Sequence, residues 1–211
     1  MKHLFGELKK HINDSGDVVG TTKEIQAAIA AAEHLGEMLL GCTFSTRGEK
    51  FIIRMLEIYY GGIGDDGHDW YRTRYTYKKS KYVDQTKTQS LDGFRVYLSS
   101  LDVQDNYTRM DIVAGNEGVP ISFLLRSVWD SSFNLIGSKN GSPNIVLNAM
   151  GITAQDHGKC ISVNENSDLH IENTRDQIIK EHNLQKIRKR RINLKSEFEK
   201  MHNVSWNLSL E

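Results

Sequence analysis

Glu57 is the residue from which a chemistry can first be read. It stands in the run Phe51 to Tyr60, which is apolar on both faces of a strand, and a period of two places it on one side with Phe51, Ile53, Met55 and Tyr59. Among such neighbours desolvation disfavours the charged form of a carboxylate, which is how a general base is tuned. The plainer reading is a carboxylate paired with a core arginine, and Arg126, closing the run Ile121 to Arg126, is the partner the sequence offers. After Tyr60 the chain reads Gly61-Gly62-Ile63-Gly64-Asp65-Asp66-Gly67-His68-Asp69-Trp70. Its glycines make a tight, irregular loop that returns His68 toward the end of the strand. The loop's acidic residues and His68 suggest a metal at first sight, but their spacing matches neither a calcium loop nor a zinc pattern, so no metal is expected.

Several elements must hold these groups. Residues 1–13 carry Leu4, Phe5, Leu8 and Ile12 at helical spacing, stopped by Asn13-Asp14-Ser15-Gly16, and read as a docked N-terminal helix within an extension over residues 1–20. Thr21-Thr22-Lys23-Glu24 is a capping box, and Ile25, Ala28, Ile29, Ala32, Leu35 and Leu39 make one apolar stripe ending at Gly41. Phe94 to Ser99, Met110 to Ala114 and Ile121 to Val128 read as further strands. A helix is expected from a Ser142 cap and Pro143 to Met150, closed by Gly151. Strands and helices do not alternate regularly, so the expected fold is α+β, with a curved, mainly antiparallel sheet flanked by helices in a single domain over residues 21–211.

Composition fits a soluble globular protein: of the 211 residues 38% are hydrophobic and 26% charged, enough for a core and too apolar for a disordered chain. No apolar run approaches the roughly 18 residues of a membrane span, and residues 1–10 hold no signal-like apolar stretch. Two cysteines, Cys42 and Cys160, suit a reducing compartment. The net charge of zero conceals a pattern. Residues 1–70 and 90–170 are each net −4, whereas residues 71–89 are net +5, with Arg72, Arg74, Lys78, Lys79, Lys81 and Lys87 interleaved with Tyr71, Tyr75, Tyr77 and Tyr82. A second basic run spans Lys186 to Arg191. Lysines and arginines that neutralise phosphates, among rings that stack on bases, are what a nucleic-acid groove requires; the alternative is a solvated loop.

Taken in order, these segments resemble the alkyladenine (3-methyladenine) DNA glycosylase family. Glu57-x-Tyr59-x-Gly61, with His68 eleven positions after the glutamate, looks like the family's active-site strand and loop. Leu39-Leu40-Gly41 resembles the end of its first helix, Val96-Tyr97-Leu98 its second tyrosine strand, and Leu124-Leu125-Arg126 its leucine-leucine-arginine strand. Gly141-Ser142-Pro143-Asn144 followed by Ala149-Met150-Gly151-Ile152 is similar to its glycine-proline helix. Arg190 to Leu194 and Trp206 fall where the family carries its last motifs, so the resemblance covers residues 21–208.

That resemblance implies the family's barrel fold, like that of formyltransferase C-terminal domains, and an enzyme of base excision repair. Such an enzyme flips a damaged purine out of DNA and hydrolyses its N-glycosidic bond with one water, using no cofactor and no metal. Glu57 would take the water's proton and Arg126 would orient both; Tyr59, His68, Tyr97 and Asp111 would line the base pocket. Arg72, Arg74, Lys78, Lys79, Arg190 and Arg191 would meet the DNA backbone. The expected protein is a monomer without membrane contact, in the cytoplasm of a bacterium or the nucleus of a eukaryote.

The chain also departs from the family. It lacks the proline-glycine turn of the wedge hairpin, so a wedge is either missing or supplied by a residue such as Leu101, and Asp111 stands where the pocket asparagine is expected. Two alternatives stay open: a lesion- or nucleic-acid-binding protein of the same fold that does not cut, and an N-glycoside hydrolase for another nucleoside or RNA. Outside these motifs, Trp70 and Trp129 read as packing residues, His34, His157 and His182 as surface residues, Cys42 as a small buried hydrophobe, and Asn144 as part of a helix entry.

Overall fold

Strand β3, Glu49–Tyr60, is the spine of the molecule, because its apolar residues on both faces can be buried only if other elements cover both sides. The computed structural model describes residues 19–20, 22–60, 63–64, 94–102, 104, 106–113, 121–189 and 207–211. Within them the order is β1 (Val19–Gly20), α1 (Thr22–Leu39), β2 (Thr43–Thr46), β3, β4 (Ile63–Gly64), β5 (Phe94–Leu101), β6 (Tyr107–Val113), β7 (Ile121–Asp130) and β8 (Leu135–Gly137). There follow α2 (Pro143–Ala149), a 3-10 turn (Ala154–Asp156), β9 (Cys160–Ile161), β10 (Leu169–Glu172), α3 (Arg175–His182), β11 (Lys186–Lys189) and β12 (Asn207–Leu210).

Ten of these strands form one sheet, ordered β10-β2-β3-β7-β6-β5-β9, every neighbouring pair antiparallel. β12 joins the same edge of β3 beyond the end of β2, and carries β11 on its far side; β8 pairs with β7. A parallel bridge between Ser162 and His170 brings the two ends of the path together, so the sheet curls into a nearly closed barrel. β1 and β4 form a separate parallel pair. The architecture is the expected α+β domain with a curved antiparallel sheet and few helices.

The alternation of each strand sorts its residues. Leu56 and Ile58, Val96 and Leu98, Met110 and Ile112, and Phe123 and Leu125 join Leu208 and Leu210 in one apolar cluster. Helix α1 adds Ala32, Leu35 and Leu39 to it and α2 adds Val146 and Leu147. α1 can approach the sheet closely because residue 36 is glycine: a Cβ there would stand 3.0 Å from Ile58 Cδ1 and 3.1 Å from Leu208 Cδ1. The helix ends where expected, with Gly41 at φ +80. α2 likewise begins with Pro143 in its first turn and is followed by Gly151 at φ +62, although Ser142 spends its hydroxyl on Ser138 Oγ rather than capping the helix. The proposed helix over residues 1–13 lies outside the described residues. No described helix is long and apolar enough to cross a membrane.

Candidate active site

The face of the sheet opposite the apolar cluster carries the ionisable residues, and strand register sets them in line. Asn207 pairs with Glu57, Glu57 with Leu124, Leu124 with Asp111, and Asp111 with Tyr97, so one row crosses β12, β3, β7, β6 and β5. With strands about 4.8 Å apart, the Cα atoms of Glu57 and Asp111 stand roughly 10 Å from one another. All five residues are buried. Tyr59 lies two residues further along β3, opposite Ser122, and is half-buried.

Arg126 reaches this row because the ladder breaks beside it. Register between β3 and β7 shifts on either side of the Met55–Ser127 pair and then resumes, leaving Arg54 and Arg126 as paired bulges outside the ladder. Released from the regular pleat, Arg126 sends Nη1 to Glu57 Oε2 at 2.6 Å. The guanidinium offsets the cost of burying a carboxylate whose side chain is only 2% exposed. Its Nη2 donates to the Asn140 carbonyl at 3.4 Å, while the Ser142 amide donates to the Arg126 carbonyl at 2.7 Å. The loop that holds it must be glycine at its closest point: at Gly141, φ +88, a Cβ would come within 2.7 Å of both Arg126 Cβ and Nε. The Gly141-Ser142-Pro143 motif is thus a clamp on the arginine that pairs with Glu57. Arg54, which sequence reasoning missed, serves the same loop, donating to Ser127 Oγ at 3.0 Å and to the Lys139 carbonyl at 3.4 Å beside the Trp129 ring.

Asp111 differs from Glu57 in having no guanidinium at bonding distance among the described residues. Burial pushes its carboxyl up to about 7, helped by the nearby negative charge of Glu57 and opposed by Arg109, Ser99 and Ser122. Ser99 Oγ donates to Asp111 Oδ2 at 3.5 Å. The row therefore holds two acids with different partners, Glu57 bound to a guanidinium and Asp111 with its carboxyl raised by burial to near neutrality. At its end the Tyr97 hydroxyl is raised to about 12 by burial and by Asp111 and Tyr107.

His157 corrects an expectation. It is no ordinary surface histidine: its ring lies 5.1 Å from that of Tyr97 and stacks on Tyr107 at 5.8 Å. Its Nδ1 accepts the Leu98 amide at 3.0 Å, which places the proton of the neutral ring on Nε2. His182 is exposed as expected, yet stacked on Phe133 at 3.6 Å, and Phe133 stacks on the packing residue Trp129. Cys42 is buried, its thiol pushed up to about 12 by burial.

Of the site residues read from sequence, Glu57, Arg126, Tyr97 and Asp111 are brought together and Tyr59 lies nearby. His68, Arg72, Arg74, Lys78, Lys79, Arg190 and Arg191 lie outside the described residues. The described part of the second basic run behaves differently from a phosphate surface. Lys186 and Arg188 pair with Glu37, Arg188 also with Glu33, and Lys189 with Glu211. Among the described residues no group of three His, Cys, Asp or Glu is arranged to hold a metal ion. Comparison with known proteins adds no relative: no family model matches the chain, and no curated protein matches it at a significant level.

Proposed function

We propose that the protein is a monofunctional DNA glycosylase that hydrolyses the N-glycosidic bond of a flipped-out alkylated or otherwise modified purine. The observation that carries this reading is the buried Glu57–Arg126 pair, clamped by Gly141 and set in one row with Asp111 and Tyr97. Binding alone gains nothing from an acid held at such cost. In the reaction the bond between C1′ and the base nitrogen breaks, the water oxygen bonds to C1′, and one water proton passes to Glu57. Arg126 fixes the carboxylate and through it the water, and the carboxylate's negative charge stabilises the oxocarbenium-like sugar. An N-alkylated cationic purine leaves as a neutral base and needs no proton. A neutral modified purine leaves far more readily when protonated, and Asp111, poised near neutrality, is the acid in reach of the pocket. Tyr97 and Tyr59 would stack on the base with His68 at its edge.

The backbone contacts would fall to Arg72, Arg74, Lys78, Lys79, Arg190 and Arg191, and the protein would work as a monomer on nuclear or bacterial DNA without a cofactor. One observation favours a second reading. Because Lys186, Arg188 and Lys189 are neutralised internally, the described surface offers less to a duplex than the sequence promised, so hydrolysis of a nucleoside or an RNA base is the alternative. Base release measured on matched duplex, single-stranded and free-nucleoside substrates decides between them: the glycosylase reading predicts the duplex or single strand to be preferred by at least about 100-fold. Equal rates on the free nucleoside would overturn it.

A further inference from the structure

Next to Glu57 the sheet holds an amide that nothing in the sequence motifs explains. Asn207 opens β12 and is the direct antiparallel partner of Glu57, so their side chains leave the same face with Cβ atoms about 5 Å apart. It is 1% exposed. Among the described residues neither its Oδ1 nor its Nδ2 has a hydrogen-bond partner. Buried amides are nearly always paired, and one left with both ends unmet is costly to the fold, so each such group calls for a cause. Packing does not supply one, because an apolar side chain would fill the position without that cost.

The geometry supplies a cause. An amide and a carboxylate side by side offer a donor and two kinds of acceptor to one small polar molecule, which is what a buried water requires. Resting on the glycosylase reading, we infer that Asn207 is a positioning residue for the hydrolytic water, its Oδ1 and Nδ2 fixing the water's orientation while Glu57 takes the proton. The orphaned amide then has the character of a functional site, where stability is given up for preorganisation. Arg126 fixes the Glu57 carboxylate; Asn207 fixes the water's second lone pair and second proton.

The test compares wild type with Asn207→Leu in three measurements: Tm, single-turnover release of an N-methylated purine from duplex DNA, and the ratio of hydrolysis to methanolysis in buffered methanol. In the last, methanol attacks C1′ in place of water and its proton goes to Glu57. The inference predicts that the variant still folds, with a Tm within about 6 °C of wild type, because removing the unpaired polar atoms offsets the strain of a bulkier side chain. It predicts release slowed by at least about 30-fold with lesion binding within about threefold of wild type. It also predicts a product ratio moved toward that of the solvent composition, which a merely structural residue would not change. An unchanged rate of release or an unchanged product ratio would overturn the inference. Wild type that releases no base from any substrate would overturn the glycosylase reading itself, and the water assignment with it; an active wild type with an equally active variant would remove Asn207 alone.

Discussion

At the scale of single residues, the site rests on two carboxylates that share a face and differ in partner. Glu57 is met by Arg126 at 2.6 Å, whereas Asp111 is met by hydroxyls. For Asp111 the consequence is a pH dependence whose sign is fixed. Its carboxyl is raised from 3.8 to about 7, so between these values the folded protein holds a proton that the unfolded chain has lost, and stability falls as pH rises through the window. Asp111→Asn should flatten that fall, by a few kcal/mol at most, in denaturant titrations at pH 4.5 and 7.5. The same proton should matter in catalysis. Release of a neutral purine is expected to decline above pH 7 in wild type, with release of a cationic N-methylated purine unaffected by that ionisation; identical profiles for the two would remove Asp111 as the acid. Glu57 was legible in the sequence because an ionisable residue inside an apolar strand interrupts its period, and Arg126 because it closes one; Asp111 was picked out only by its place in the family resemblance. Asn207 was not legible, since a polar residue in a four-residue strand carries no signal until pairing sets it beside a residue 150 positions away.

At the scale of elements, the site is held by two devices that composition alone does not announce. One is the pair of bulges at Arg54 and Arg126, which turns two arginines toward the Ser138–Ser142 loop. Gly141→Ala is therefore expected to displace Arg126 as well as to strain a backbone at φ +88, costing about 1–3 kcal/mol and slowing base release; thermal unfolding and single-turnover kinetics report the two effects. The other device is Asp156, which ties the segment after α2 to the β2–β3 turn. Burial alone would raise its carboxyl, but the Thr153 amide, Arg47 and Lys159 hold it well below its ordinary value. Its folded value being depressed, it stabilises the protein above the unfolded value of 3.8, and that contribution is lost as pH falls further. Asp156→Asn should cost about 2 kcal/mol at pH 7 and much less near pH 2, as read from urea unfolding at each pH. The long elements β3, β5, β6, β7, α1 and α2 were visible from periodicity and end signals. The short strands β2 and β8 to β12 were not, because two to four residues cannot establish a period, and α3 is too charged to show an apolar stripe.

At the scale of the whole molecule, closure of the sheet at Ser162 and His170 gives a curved frame whose inner and outer faces are both filled, one by the apolar cluster and one by the row of the site. The antiparallel character of that frame was legible from the irregular succession of strands; its near-closure was implied only by the family resemblance, since no residue pattern announces one bridge. Charge at this scale also departs from the sequence pattern, because basic residues of β11 are matched to acids on α1 and at Glu211. Arg188→Ala is accordingly expected to lower stability by about 1 kcal/mol and to leave the salt dependence of DNA binding unchanged, whereas Arg72→Ala and Lys78→Ala should each reduce its slope by about one; binding isotherms from 50 to 200 mM salt measure this. The proposed role of Glu57 as the base of an N-glycoside hydrolase is tested by single-turnover base release from duplexes carrying 1,N6-ethenoadenine, hypoxanthine or an N-methylated purine, wild type beside Glu57→Gln. Wild type is expected to release the base from at least one lesion and Glu57→Gln to lose nearly all of that release, with lesion binding retained by both. Release by the variant at the wild-type rate, or no release by wild type from any of the three, would contradict that role.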